Sequence, residues 1–274
     1  MVGRYAPSPT GSLHLGNLRT ALLAWLHARS AGSAFLMRIE DLDQSRVRPG
    51  YEEAQLADLA ALGLDWDGPV VRQTGRLALY EDAVARLDAD GLLYPCYCTR
   101  REIREAASAP HGPLPEGAYP GTCRELTAAE LAQRDAEGRP PALRVRGGGD
   151  VDDFVVRRND GVFAYNLAVI VDDSAQGVEQ VVRGEDLADS TPRQLHVAAL
   201  LEIRAPSSYV HVQLMLGPDG ERLAKRHGAV TLADRRALGE TPGQVRTELA
   251  RSVRLAGPDE EDVPLEELLR RFMP

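Results

Sequence analysis

Hydrophobic and polar positions change their spacing repeatedly along the 274 residues, and the changes predict strands alternating with amphipathic helices. "GRYAPSP" reads as a short strand closed by Pro7 and Pro9. In "TGSLHLGNLRTALLAWLHARS", Thr10, Gly11 and Ser12 read as turn and cap residues. Leu18, Leu22, Trp25 and Leu26 then recur at helical spacing, with Arg19 and Arg29 off that face. "SAFLMRIED" predicts a strand, "YEEAQLADLAALG" a helix stopped by Gly63, and "RLALYEDAVARLDADG" a helix stopped by Gly91. Strands separated by helices of this kind predict βαβ units, and so an α/β fold built on a parallel sheet.

The pattern breaks after Tyr94. From "PCYCTRREI" to "RVRGGGD", Pro and Gly are dense and periodicity is weak, so residues 95–150 read as an inserted module. "DFVVRRNDGVFAYNLAVIVDD" then gives two β-rich runs around Asn159-Asp160-Gly161, a hairpin turn signal. "TPRQLHVAALLEI" predicts a helix with Thr191 as cap and Pro192 at its first position, and "SYVHVQLML" predicts a strand. The last segments, beginning "TPGQVRTELARSV" and "PLEELLRRF", predict a short helical tail. The expected organisation is a first catalytic half over 1–94, the insertion over 95–150, a second half over 151–235 and the tail over 236–274.

Composition narrows the class. Hydrophobic residues make up 43% and charged residues 27%, as in a soluble globular chain. No apolar run is long enough for a membrane span, and "MVGRYAPSPTG" lacks the apolar core of a signal peptide, so the expectation is a cytoplasmic protein with no membrane partner. Three cysteines make no disulfide scaffold. A net charge of −9 argues against a general polyanion-binding surface, though not against a local basic face for nucleic acid.

One residue stands out against this background. Lys+Arg total 32, and Lys225, in "GPDGERLAKRHGAV", is the single lysine. A compact ammonium on a flexible stem does what a planar guanidinium cannot when a charge must follow a phosphate. Near the other end of the chain, "PSPTGSLHLGN" sets His14, Gly16 and Asn17 at a helix start, where unpaired N–H groups and the dipole favour phosphate. In this order the two segments resemble the signature motifs of class I aminoacyl-tRNA synthetases. His14-Leu15-Gly16-Asn17 resembles the His-Ile-Gly-His element, and Arg222-Leu223-Ala224-Lys225-Arg226 the Lys-Met-Ser-Lys-Ser loop. Asn17, Arg222 and Ala224 depart from those motifs. "RYAPSPTGSLHLGNLRTAL", "MRIEDLD", "AYNLAVIVDD" and "VVRGEDLADSTPRQ" sharpen the resemblance to the glutamyl branch.

The resemblance implies a Rossmann-like sheet and ATP-dependent activation of L-glutamate with magnesium. His14, Gly16, Asn17 and Lys225 would serve ATP, with His14 and Lys225 catalytic. Arg4, Ser8, Glu40, Tyr165 and Arg183 would serve glutamate. Two arginines suit two carboxylates and Glu40 suits the ammonium. Cys96, Cys98 and Cys123 all fall in the insertion, where thiolates suit a structural zinc ion that wants four ligands. By chemistry the fourth is conventionally His111; the resemblance points instead to Tyr119. After Gly228 only a short stretch remains, too little for an anticodon-gripping domain, and the chain in this respect resembles the truncated glutamyl-queuosine branch. That branch implies transfer to the modified wobble nucleoside in the anticodon stem-loop of tRNA(Asp). The alternatives are a truncated enzyme charging tRNA(Glu), and a silent nucleotide- or RNA-binding paralogue.

Overall fold

The computed structural model describes residues 1–107, 119–217, 219–221, 223, 228 and 230–272. Its elements run β1 (Gly3–Tyr5), α1 (Leu15–Ser30), β2 (Phe35–Ile39), α2 (Tyr51–Ala61), β3 (Val71–Arg72), α3 (Leu77–Ala89), β4 (Leu93–Cys96), α4 (Arg100–Ala107) and α5 (Ala128–Ala136). They continue with β5 (Ala142–Val145), β6 (Phe154–Arg157), α6 (Tyr165–Ala175), β7 (Gln180–Gly184), α7 (Ser190–Leu200), β8 (Ser208–Val212), α8 (Leu232–Ala237), α9 (Pro242–Arg251) and α10 (Leu265–Arg271). They fall into two compact units, one of residues 1–75, 176–188 and 206–274, the other of 76–175 and 189–205.

The first unit is built on a sheet of order β3-β2-β1-β7-β8, parallel throughout. The period-two alternation of its strands sorts side chains onto two faces. Tyr5, Phe35, Met37 and Val182 form one face, packed with Leu18, Leu22, Trp25 and Leu26 of α1. Val245 and Leu249 of α9 and Leu268 of α10 join the same core, which explains why α1 is buried on more than one side. The predicted α1 begins later than its turn residues suggested: the cap is His14, and Thr10 to Ser12 stay in the preceding loop. Gly63 follows α2 at φ +87° and Gly91 follows α3 at φ +67°, the left-handed conformations that end helices. In the tail, Thr241 caps α9 in a reciprocal box with Gln244, and Pro242 takes the first position.

The second unit holds an antiparallel sheet of order β4-β5-β6. Weak periodicity had concealed β5, α4 and α5 within residues 95–150, and β4 across the start of that stretch. Pro95 is tolerated because β4 is an edge strand. The turn at Asn159–Gly161 does form, with Arg157 bridged to Phe163 and the Arg158 carbonyl accepting from Gly161, but its second arm stops there. "YNLAVIVDD" is helix, where a second β-rich run was expected. Leu167 to Asp173 are buried consecutively in α6, which packs against α3 and α7. A short apolar run buried on all sides carries no period that separates helix from strand. α7 begins at Ser190 with Asp189 at the cap position, so Pro192 sits third in the helix, not first.

Asp172 is fully buried in α6, where it accepts hydrogen bonds from Arg76 Nε at 2.5 Å and Tyr80 Oη at 2.8 Å. Asp172→Ala leaves the guanidinium and the phenol facing a void. The expected loss is about 3–5 kcal/mol of stability, read as a lower urea midpoint.

Candidate active site and cysteine cluster

The second face of the parallel sheet is charged. Arg4 lies opposite Leu36 and Val181, and Arg183 opposite His211. Residues paired or two apart in parallel strands share a face, so Arg4, Arg38, Glu40, Arg183, Tyr209 and His211 project to the same side. Arg4, Arg38 and Arg183 are 5%, 0% and 4% exposed. Arg38 donates to Gln176 Oε1 at 2.8 Å and pairs with Glu40 at 3.4 Å. Arg183 Nε donates to His211 Nε2 at 3.4 Å, with the guanidinium 5.4 Å from the Tyr209 ring centroid. Burial, then the Arg183 charge, pushes the His211 pKa down, which keeps its ring neutral and able to accept. Between β1 and β7 the strand order reverses, and the crevice beyond the carboxyl ends at such a point is where open α/β sheets take ligands.

The β1–α1 loop leaves that point. Its prolines cannot donate, yet its carbonyls are anchored. Pro7 O accepts from Glu40 N at 2.9 Å, Pro9 O from Arg48 N at 3.2 Å, and Ser8 O and Gly11 O from Gln55 Nε2 at 3.0 and 2.6 Å. The Ser8 side chain is exposed. The loop delivers His14 as the α1 cap: His14 Nδ1 accepts from Asn17 N at 3.3 Å, and Asn17 Oδ1 accepts from His14 N at 3.2 Å. A Cβ on Gly16 would lie 3.0 Å from two atoms of the His14 ring, so glycine is what lets the imidazole fold over the helix start. Because Nδ1 accepts, a neutral ring carries its proton on Nε2.

In the first unit Arg4, Glu40 and Arg183 share one sheet face, while His14, Gly16 and Asn17 share the start of α1 and Ser8 lies in the loop before it. Tyr165 opens α6 of the second unit and is half-buried. Lys225 and His111 lie outside the described residues, as do Arg222 and Ala224.

In the second unit, the sulfur atoms of Cys96, Cys98 and Cys123 lie within 4.8 Å of one another, the three-ligand group found among the described residues. Cys98 and Cys123 Sγ are 3.5 Å apart. Tyr119 Oη is 3.4 Å from Cys96 Sγ, 3.6 Å from Cys98 Sγ, and accepts from Cys123 N at 2.8 Å. Hydrogen bonds from Cys123 and Cys98 push the Cys96 pKa far down, while the same sharing holds Cys98 up. Burial, and then the cysteines, push Tyr119 up. Arg144 stacks 3.7 Å over the Tyr119 ring centroid and donates to Asp153 O at 3.0 Å.

Residues 1–148 and 147–271 match the family described as "tRNA synthetases class I (E and Q), catalytic domain". The chain is 59% identical to the glutamyl-Q tRNA(Asp) synthetase of Nocardia farcinica, over 99% of this chain and 89% of that one. It is 46% identical to the protein of the same name from Deinococcus radiodurans, over 100% and 95%. The chain belongs to the glutamyl-Q tRNA(Asp) synthetase family.

Among solved structures, it is similar to a glutamate tRNA ligase from Elizabethkingia meningosepticum, with a TM-score of 0.80 and 27% identity over its full length. It spans 64% of that ligase's chain. Among the described residues of this family member, no helix is long and apolar enough to cross a membrane. Sequence reading overlooked Arg38, His211 and Gln55. The first two were legible in principle, through the same period-two alternation that carries Arg4 and Glu40. Gln55 had no signal, since it acts across 44 residues of sequence.

Gln55 is 1% exposed. Gln55→Met keeps its volume and removes both carbonyl anchors. A loss of about 1–3 kcal/mol is expected in urea unfolding; an unchanged midpoint would show that the loop holds itself.

Proposed function

We propose that this chain activates L-glutamate with ATP and transfers it to the queuosine wobble nucleoside of tRNA(Asp), in the cytoplasm. The observation that carries the glutamate half is the charged sheet face, where two buried arginines and one glutamate stand at the ends of adjacent strands. Arg4 and Arg183 suit the two carboxylates and Glu40 the ammonium, and the family resemblance adds Ser8 and Tyr165 as polar groups for glutamate. The tRNA(Asp) half is supported by the relatives' names and by identity up to 59%.

In the first step an oxygen of the glutamate α-carboxylate attacks the α-phosphorus of ATP. The bond to the bridging oxygen breaks, pyrophosphate leaves, and glutamyl-adenylate remains. A carboxylate needs no general base, so the protein's task is positioning and stabilisation of phosphoryl charge. His14, with its ring proton on Nε2, donates to phosphate at the α1 N-terminus, where Gly16 admits close approach and Asn17 fixes the ring. Lys225 carries the cation that follows the phosphates. Magnesium, when bound with ATP, neutralises phosphate charge. In the second step a nucleophile of the modified nucleoside attacks the carbonyl carbon of the adenylate and AMP leaves.

The second unit's cluster is read as a structural zinc site of Cys96, Cys98, Cys123 and Tyr119. A tetrahedral zinc ion with Zn–S of about 2.3 Å and Zn–O of about 2.0 Å sets S···S edges of about 3.8 Å and S···O edges of about 3.5 Å. The sulfur separation of 3.5 Å and the oxygen separations of 3.4 and 3.6 Å fit that figure. When bound, the ion ties the end of β4 to the turn at 119–123.

Purified protein is expected to exchange pyrophosphate into ATP with glutamate and without tRNA, while aspartate and glutamine serve poorly. With labelled glutamate and bulk tRNA it is expected to label tRNA(Asp), and only from cells that make queuosine. The label should survive periodate removal of the 3′ adenosine. Labelling confined to the 3′ end of tRNA(Glu) would overturn the acceptor assignment.

Protein purified without chelator is expected to hold about one zinc per chain, by the four-ligand count. Cys123→Ser is expected to lower both zinc content and thermal midpoint. Background zinc in the untreated protein would remove Tyr119 from the ligand set.

A further inference from the structure

We propose that Arg144 is the counter-charge of the cysteine cluster, the buried cation that lets a ligand set containing tyrosine hold zinc. This rests on the zinc reading above. In the antiparallel pairing of β4 with β5, Arg144 lies opposite Tyr94, and Ala142 opposite Cys96. Residues paired or two apart in such a ladder share a face, so Arg144 and Cys96 project from the same side of the sheet. The Arg144 guanidinium stands over the Tyr119 ring, 3.7 Å from its centroid. The oxygen of that ring is the atom set against Cys96 and Cys98 Sγ, at 3.4 and 3.6 Å. A guanidinium over a ring face is attracted by the π charge, and more strongly when the ring oxygen is itself charged.

The other partners of Arg144 do not account for a cation in this place. The residue is 7% exposed. Its Nη1 donates to a carbonyl, Asp153 O, at 3.0 Å, and its Nε is buried with no hydrogen-bond partner among the described residues. The Asp153 carboxylate accepts instead from Tyr94 Oη at 2.5 Å, Arg124 Nη1 at 2.7 Å and Gly147 N at 2.7 Å. Among the described residues, Arg144 forms no ion pair with a carboxylate. A buried guanidinium met by one carbonyl and one ring is desolvated without full compensation unless an anion completes its surroundings.

The ligand set supplies that anion. Zinc takes cysteine as thiolate and tyrosine as phenolate, so four ligand charges against a doubly charged ion leave roughly two negative charges in a buried site. Arg144 offsets one of them and holds the plane of the ring that bears the oxygen. Partners of this kind, outside the ligands themselves, set both ligand orientation and metal affinity.

The test measures zinc affinity by competition with a chromogenic chelator. Arg144→Gln removes the charge and keeps an amide donor for the Asp153 carbonyl. It is expected to bind zinc roughly 10–100-fold more weakly than the wild type. Arg144→Lys keeps the charge without the planar stack, and its affinity should fall between the two. The rise in thermal midpoint on adding zinc should shrink in the same order, by linkage, while the midpoint of the zinc-free protein changes less. Arg144→Met carries the same expectation as Arg144→Gln and serves where that variant fails to fold. Affinity within about twofold of wild type in the neutral variant overturns the inference, against the expected range. So does an Arg144→Lys affinity no better than that of Arg144→Gln, or an equal loss of midpoint with and without zinc. A wild-type protein that takes up no zinc overturns the zinc reading and this inference with it. Zinc uptake by the wild type, with unchanged affinity in Arg144→Gln, overturns this inference alone.

Discussion

Three guanidinium groups, Arg4, Arg38 and Arg183, are buried on one face of a single parallel sheet, and much of the first unit follows from accommodating them. A charge taken out of water must be met by acceptors, or it costs several kcal/mol. Arg38 is met by Gln176 and Glu40, and Arg183 by His211 and the face of Tyr209. Tyr209 and His211 lie on β8 beside β7, where the parallel register sets charge against acceptor, while Glu40 follows Arg38 at the end of its own strand and Gln176 follows α6. The opposite face carries Tyr5, Phe35, Met37 and Val182, and α1, α9 and α10 share their apolar core. The sheet thus separates the apolar face that stabilises the unit from the charged face proposed to bind glutamate.

The same economy operates in the β1–α1 loop. Within the loop Thr10 N donates to Ser8 O at 2.9 Å, and its carbonyls are held further by Glu40, Arg48 and Gln55. A loop so held has its geometry set without help from a ligand, which suits the positioning role proposed for it. The cap at His14 is part of that frame. The imidazole satisfies a helix N–H through Nδ1 and is thereby fixed in orientation and tautomer.

In the second unit, Tyr94, Cys96, Tyr97, Tyr119 and Cys123 form a small buried cluster. Few large apolar side chains take part, and a core of this size gains most from a cross-link. Arg144 over the Tyr119 ring, and Asp153 bound by Tyr94, Arg124 and Gly147 N, brace the same cluster with charge and hydrogen bonds. This cluster relies on polar and thiol chemistry, where the α3, α6 and α7 part of the same unit relies on buried apolar side chains.

The α/β class, the helices at α1, α2, α3, α9 and α10, and the His14–Asn17 element were all determined by local sequence. Period, caps and glycine stops act within a few residues, and the period-two alternation of Arg4 and of Arg38 with Glu40 is equally local. Tertiary structure alone decided the rest. α6 became helix because α3 and α7 enclose it, an environment that no eleven-residue window contains. Cys96 meets Tyr119, and Cys98 meets Cys123, across 23 and 25 residues. Gln55 reaches Ser8, and Arg19 reaches Gln213, across 47 and 194 residues. Contacts at such separations are set by strand order and packing, which leave no periodic trace in either partner's neighbourhood.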